Sequence, residues 1–361
     1  SKKCLAQSLA SMFKKSTTTL PGKKLQEKID YYGMSLDIYA TSFYTVFELS
    51  GLSRYATDMI HLLHQIIYQA EFKEADWKIS KNTLIENIKQ SQYQSDYWAD
   101  KLLSINLIGS DHFAGYYSEI EDYNLVTCSD ISQYYRNFFL KYTATWFLAG
   151  DQVNLAKEAI EKLFPAPSHT LKRPIALSSV QPLTIEKRLP GAAQASIRLG
   201  MLLPRKSFKE FMDMEVLSTH LGGYYLSELM KVLRIELGMT YGVYSHLTHY
   251  ADSSIYTIAY ETDERFIGPS LDAIKNLFAR LKSERKIDFQ DAKSQYLSSW
   301  TKQSEQALNE ILFEVKMHKL GYSYKSYKTA IRRLKSNDSF VSDKLKTRFF
   351  NFDNYTKVIV Y

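Results

Sequence analysis

In the second half of the chain an Arg and a Tyr stand seven residues apart. They are Arg234 and Tyr241, in the run Leu233-Arg234-Ile235-Glu236-Leu237-Gly238-Met239-Thr240-Tyr241. A guanidinium is a forked donor that stays charged, and a phenol can donate to a developing oxyanion. The same two residues also fit plainer roles, Arg234 as a cation near a helix end and Tyr241 as a strand aromatic. Two histidine pairs are the candidates for metal chemistry. His61 and His64 are three apart on a helical stretch and read as helix-edge residues. His246 and His249 stand at odd spacing on a strand, which sends them to opposite faces. Neither pair makes a site. Nucleophile elbows of the Gly-x-Ser-x-Gly type and phosphate-cradling Gly-rich loops are absent. The two cysteines, Cys4 and Cys128, are too few for a disulfide framework or a Cys-rich zinc module.

The scaffold that must position these groups is a globular chain of 361 residues, long enough for two or three domains at roughly 100–200 residues each. Basic residues number 46 against 39 acidic, a net +7, and the two signs are interspersed, which reads as a solvated surface rather than a nucleic-acid footprint. No apolar run reaches the length of about 18 residues that a transmembrane helix needs. The opening Ser1-Lys2-Lys3 leads into a short stretch, residues 5–13, polar at three positions. It reads as a folded amphipathic segment with no strand before it, so an N-terminal piece carrying the first strands is expected to precede it, and a missing leader says nothing of compartment.

Local pattern then predicts a helix through Leu25, Ile29 and Tyr32 ending at Gly33, and strands over residues 36–49. Helices follow through Met59 to Ile67 and through Ile79 to Ile88, then one capped by Ser129-Asp130. Residues 144–151 read as a short buried strand ending in a turn, and 155–164 as helix. Pro165, Pro167, Pro174 and Pro182 punctuate a stretch without hydrophobic period, the best linker. The predicted division is a domain at 1–165, a linker at 166–182 and a domain at 183–361. The order of landmarks then repeats: a helix ending at Gly33-Met34 recurs as one ending at Gly238-Met239, and Phe72-Lys73-Glu74-Ala75-Asp76 recurs as Phe289-Gln290-Asp291-Ala292-Lys293. The offsets are 205 and 217 residues, a difference that a longer second hairpin absorbs. The expected fold is α+β, two copies of a helix-covered, antiparallel-rich sheet.

Several local sequences carry a family likeness. Gln7-Ser8-Leu9-Ala10-Ser11-Met12 is followed by Phe13-Lys14-Lys15-Ser16-Thr17. Gly33, Leu36 and Thr45 mark the helix end and strands, Asp111-His112-Phe113-Ala114-Gly115 a loop, and Gln194-Ala195-Ser196-Ile197-Arg198-Leu199-Gly200 a strand. Together they resemble the pitrilysin/insulinase-like zinc metallopeptidases, in the two-domain branch that includes bacterial processing proteases and mitochondrial processing peptidase. The resemblance implies two duplicated α/β-roll domains. The family's opening motif is His-x-x-Glu-His-Met, with Phe-Lys-Gly-Thr next, and Leu9, Met12, Lys15 and Thr17 keep that frame.

In that frame the zinc chemistry is gone. The two His of the family motif share one helix face and one zinc, the Glu polarises water, and a later Glu completes the ligands. Here the resemblance places Gln7 and Ser11 at the His positions, Ala10 at the general base, and Asn87, within Leu84-Ile85-Glu86-Asn87-Ile88, at the third ligand. Amide and hydroxyl oxygens are poor zinc ligands beside imidazole. Glu86 is adjacent but points about 100° away on a helix. The expectation is a degenerate member with no metal or cofactor of its own, zinc being held only by a partner. The resemblance also implies that Arg234 and Tyr241 bind substrate backbone and the tetrahedral intermediate in trans, within a clamshell closed around an unfolded peptide. The implied partners are a zinc-bearing sibling subunit or a second copy of the chain, and an edge strand offers β-addition to the peptide. Two alternatives stand beside this: a peptide-holding scaffold without a catalytic partner, in which Arg234 and Tyr241 are packed, and an active zinc protease with an unrecognised site. The compartment is left open between bacterial cytoplasm and periplasm.

Overall fold

A computed structural model describes residues 2–142, 144–164, 181–204, 207–250, 253–285, 287–303, 307–336 and 341–361. They fall into two compact units, one of Ser1–Ser91 with Tyr117–Arg173 and one of Gln92–Tyr116 with Pro174–Tyr361. The expected linker at 166–182 lies, apart from its last two residues, outside the described residues. No described helix is long and apolar enough to cross a membrane.

The first unit opens with helix α1 (Leu5–Met12), which buries Leu9, Ala10 and Met12. Helix α2 (Gly22–Tyr31) follows, then strands β1 (Ser35–Ala40) and β2 (Thr45–Ser50) in an antiparallel hairpin that pairs Ser35 with Ser50 and Ala40 with Thr45. Helix α1 packs on β1, and helices α3 (Ala56–Tyr68) and α4 (Glu74–Ser91) follow in the chain. Phe13 sits fully buried among the rings of Phe47, Phe72, Tyr135 and Phe139. Trp77 on α4 is buried too, and its Nε1 donates to the Val126 carbonyl at 3.1 Å.

Helix α5 (Ser95–Ile108) leaves this unit; α6 (Ile120–Leu125), α7 (Cys128–Asn137) and α8 (Val153–Leu163) return to it. The cap of α7 is Thr127, whose side chain accepts from the Asp130 amide while Asp130 accepts from the Thr127 amide, so the predicted Ser129-Asp130 cap is displaced by two residues. The strand expected at 144–151 does not form. Trp146 and Leu148 still pack against Ile60, Ala159 and Ile160, but among the described residues no strand runs beside them, and an extended segment without a ladder partner is not a strand.

The second unit is built on a five-stranded sheet. Its elements are β3 (Thr184–Lys187), β4 (Ala195–Pro204), α9 (Phe208–Gly222), a π-wound helix at Met230–Glu236, β5 (Val243–His249), β6 (Ser253–Thr262), α10 (Ile267–Ser283), α11 (Gln290–Gln303), α12 (Ala307–Lys319), α13 (Tyr324–Lys335), α14 (Asp343–Phe349) and β7 (Thr356–Val360). The strand order is β3-β7-β4-β6-β5, with β3 and β7 parallel and the other pairs antiparallel. Strand β4 is buried along its length up to Pro204 because both faces are covered. Ile197, Leu199, Met201 and Leu203 point into the main core with Phe211 and Leu217 of α9. The other face receives α5, whose Ala99, Leu103 and Leu107 pack against Leu202, Val358 and Val360. Each such Leu contributes about 1.5–3 kcal/mol by burial. Gly200 makes the approach possible: a Cβ there would come within 2.7 Å of Leu103 Cδ1 and 2.9 Å of Leu107 Cδ1. Arg198 is buried beside it and donates to Asp100 of α5 at 2.7 Å and to Glu261 of β6 at 3.0 Å. A linear division at 165 and 183 assigns residues 92–116 to the first domain, whereas they pack with the second unit.

The repeat is visible in the backbone. Gly33 and Gly238 both end a helix at positive φ, +58° and +60°. Each is followed by a hairpin, β1–β2 or β5–β6, a single 3₁₀ turn, Ser53–Tyr55 or Glu264–Phe266, and two helices, α3–α4 or α10–α11.

Candidate functional site

The motif positions of the first unit lie on α1 and α4. Gln7 and Ser11 are half-buried and Ala10 is buried. The Ser11 hydroxyl is already engaged, donating to the Ser8 carbonyl at 2.7 Å. Asn87 is exposed, and Glu86 pairs with Lys89 at 2.8 Å on the helix surface. Among the described residues no group of three or more His, Cys, Asp or Glu is placed to hold a metal ion. An amide, a methyl and a hydroxyl bonded to its own helix do not fit a zinc centre, which is built from imidazole, thiolate and carboxylate donors.

Arg234 and Tyr241 are brought together. Arg234 lies in the π-wound helix, where Leu237 donates back to the Val232 carbonyl at 3.1 Å and Met239 to that of Leu233 at 2.8 Å. Such π turns recur at functional sites. Its guanidinium carbon stands 4.6 Å from the centroid of the Tyr241 ring and 5.1 Å from that of Tyr225. Stacking of this kind is worth about 0.5–1 kcal/mol at an exposed site. Tyr241 is 83% exposed, so it is neither a core nor a strand aromatic. Among the described residues Arg234 has no hydrogen-bond or ion-pair partner.

The loop carrying Tyr241 is clamped. Thr240 donates through Oγ1 to the carbonyls of Gly242 at 2.9 Å and Glu261 at 2.7 Å, and the Thr262 hydroxyl donates to the Met239 carbonyl at 2.6 Å. The result is a positioned, unpaired cation between two tyrosine faces, able to present N–H donors and phenol hydroxyls to a polar guest. Tyr225, which shares the cation, is not distinguished by sequence beyond its place in Gly222-Gly223-Tyr224-Tyr225.

The histidines that sequence offers as metal candidates are used otherwise. His64 packs on Tyr68 and Phe164, and burial with the neighbouring His61 lowers its pKa. His249 joins Ser254 through Nδ1 at 2.7 Å and Glu215 through Nε2 at 3.0 Å, and Glu215 also accepts from Lys316 at 2.8 Å. These are the residue types of a hydrolytic triad, but the ring is turned: a triad serine bonds Nε2 and the acid Nδ1. Ser254 is fully buried, out of reach of any substrate. Burial alone would raise Glu215, yet Lys316 and His249 outweigh it and hold the carboxyl down at about 2, so this cluster ties β5, α9 and α12 together.

Known proteins agree with this architecture. Residues 3–112 match the family profile described as Insulinase (Peptidase family M16), and residues 126–296 match that described as Peptidase M16 inactive domain. The chain belongs to the insulinase (M16) peptidase family, as a degenerate member. It is 25% identical to an uncharacterized zinc protease, YmxG, of Bacillus subtilis (strain 168) over 76% of this chain and 68% of that protein. It is 23% identical to an uncharacterized zinc protease of Rickettsia bellii (strain RML369-C) over 89% and 75%. Among solved structures, a peptidase M16 inactive domain from Pseudomonas fluorescens superposes with a TM-score of 0.84 at 17% identity, covering 99% of this chain and 88% of that one. A protease from Helicobacter pylori gives 0.79 at 14%, covering 100% and 90%. These two likenesses establish the fold.

Proposed function

We propose that this chain is the non-catalytic, substrate-binding half of a two-chain zinc peptidase, inactive alone and lending Arg234 and Tyr241 to a peptide cleaved by a zinc-bearing sibling. The observation that carries the reading is the unpaired Arg234 guanidinium held between Tyr225 and the exposed ring of Tyr241 on a clamped loop. A scaffold with no such task would more economically bury or neutralise the cation. In this role Arg234 donates to a backbone carbonyl of the unfolded peptide, and the Tyr241 hydroxyl donates to the oxyanion as the carbonyl becomes tetrahedral. Gln7, Ala10, Ser11 and Asn87 supply neither metal ligand nor general base, so attack by water is the sibling's work.

The test is reconstitution with a chain that carries an intact His-x-x-Glu-His motif and co-purifies with this one. Tyr241→Phe is expected to lower kcat about 10²–10³-fold, the usual loss for one oxyanion donor, and Arg234→Ala to raise KM through the lost backbone contact, both leaving the assembly intact. Unchanged activity in both variants would remove the substrate role, and stoichiometric zinc in this chain alone would revive an active protease.

A further inference from the structure

The second unit contains a polar cavity that the Arg234 pair does not use. It is a half-open hollow of about 240 Å³ where the ends of α9 and α10, helix residues 228–236 and the start of α11 meet. That is roughly eight times the volume of a liquid water, about 30 Å³, and below the 300 Å³ or so at which drug-sized pockets begin. Its most buried polar lining residue is His220, 8% exposed, with its ring edge-on to Phe289 at 5.0 Å. The His220 Nε2 is buried and has no hydrogen-bond partner. A buried polar atom left unpaired costs about 1–3 kcal/mol, so a water or a guest in the cavity would gain by bonding it. Burial is the first of the influences that lower the pKa of this imidazole, which keeps the ring neutral and one nitrogen free to accept.

The charges of the lining say what kind of guest. Four carboxylates, Glu228, Glu284, Asp288 and Asp291, face two cations, Lys231 and Arg280. Both cations are spent: Lys231 bonds Glu228 at 3.1 Å, and Arg280 bonds Glu228 at 2.6 Å and Glu284 at 3.3 Å. Asp288 accepts only the Gln290 amide at the start of α11, and Asp291 has no hydrogen-bond or ion-pair partner among the described residues. Among the described residues the cavity therefore carries two uncompensated negative charges. An anion would have to strip Lys231 or Arg280 from Glu228 to bind. A metal ion lacks a ligand set here, since no trio of His, Cys, Asp and Glu among the described residues converges on one point. Leu281 and Ile287 give the cavity an apolar wall, with Tyr224 beside them.

We propose that this cavity binds a primary alkylammonium group, one N–H donated to His220 Nε2, its charge offset by the exposed carboxylates of Asp288 and Asp291, and its methylenes laid against Leu281 and Ile287. The chemistry is common to a free aliphatic diamine and to a lysyl side chain of a polypeptide, and the site stands independently of the role given to Arg234.

Calorimetric titration of the full chain distinguishes the sources. The probes are 1,4-diaminobutane and Nα-acetyl-lysine methylamide, with 1,4-butanediol as the uncharged control of equal stem. Saturable binding of the amines is expected, at least about tenfold tighter than the diol, a difference of 1.4 kcal/mol. The tighter amine identifies the source. Asp291→Asn, at an exposed position, should weaken binding about tenfold, and His220→Phe should remove it. If His220→Phe fails to fold, Asp291→Asn decides alone. No saturable heat with either amine, as for a cavity that holds water only, overturns the proposal. So does diol binding as tight as the amines, or amine binding unaltered in Asp291→Asn.

Discussion

Asp213 offers a quantitative check on the packing of the second unit. It lies on α9, 3% exposed, and its Oδ1 accepts no hydrogen bond; the nearest cation, Arg333 on α13, reaches it only at 3.9 Å. Burial raises its pKa from 3.8 to about 6, against the opposing pull of Arg333 and Lys209. The folded state therefore prefers the neutral carboxyl. Its contribution is fully present below about pH 4 and is lost as pH rises through about 6. Two pKa units, with the pull of Arg333 and Lys209 already included, correspond to about 3 kcal/mol at most, and solvent screening brings the expected gain to about 1–3 kcal/mol. Asp213→Asn, permanently neutral and of the same shape, should match the parent near pH 4 and exceed it by that amount at pH 7.5.

Urea unfolding at fixed ionic strength across this range measures the difference. Trp98, which packs with the second unit, serves as the local probe. Each kcal/mol should also move Tm about 2–4 °C in a unit of this size. A difference that does not change with pH, or an Asn variant less stable than the parent at pH 7.5, would refute the reasoning and mean that Arg333 makes a productive pair.

Two further outcomes follow from the geometry. Leu103→Ala should cost about 2–5 kcal/mol and loosen α5 from β4, read as new proteolytic cleavage within residues 92–116; an unchanged digestion pattern would count against α5 as an integral layer of the second unit. The combined variant Gln7→His, Ala10→Glu, Ser11→His and Asn87→Glu should take up one zinc per chain by elemental analysis, where the parent takes up none; no uptake would show that these four positions are not the remains of a ligand set.

Much of the fold is legible because punctuation is local. Gly33 and Gly238 are read as helix ends from sequence, and both occupy the left-handed region that favours glycine. The hairpin, helix, helix order after each is carried by local alternation and period. What sequence does not specify is which surface an apolar stripe meets. Ala99, Leu103 and Leu107 would suit any sheet, and nothing in their spacing says that they cover β4 rather than the β1–β2 hairpin. Arg198 hides the same fact, since an Arg inside a strand reads as solvent-facing until Asp100 arrives from α5 to pair with it. Residues 144–151 differ for the converse reason: strand propensity describes a fit to a neighbour, and no neighbouring strand stands beside them among the described residues. The His220 cavity is beyond sequence altogether, being assembled from four segments spread between residues 220 and 291.

The two candidate sites of the resemblance have opposite physical fates. On α1 the replacements are those a packed helix would choose. Ala10 is buried with the best helix propensity, and Ser11 returns its hydroxyl to its own backbone, so that face stabilises the fold without any chemistry. Around Arg234 the balance is reversed. Two exposed ring contacts return about 0.5–1 kcal/mol each, and the cation receives no carboxylate. Three side-chain hydrogen bonds from Thr240 and Thr262 nevertheless hold its loop in place. Rigidity spent on a half-buried, unpaired group gains little inside this chain and much at a site completed from outside it, where prior ordering spares the entropy of fixing the donors at the moment of binding. That asymmetry supports a division of labour in which the chain has kept its hold on the peptide and given up the cut.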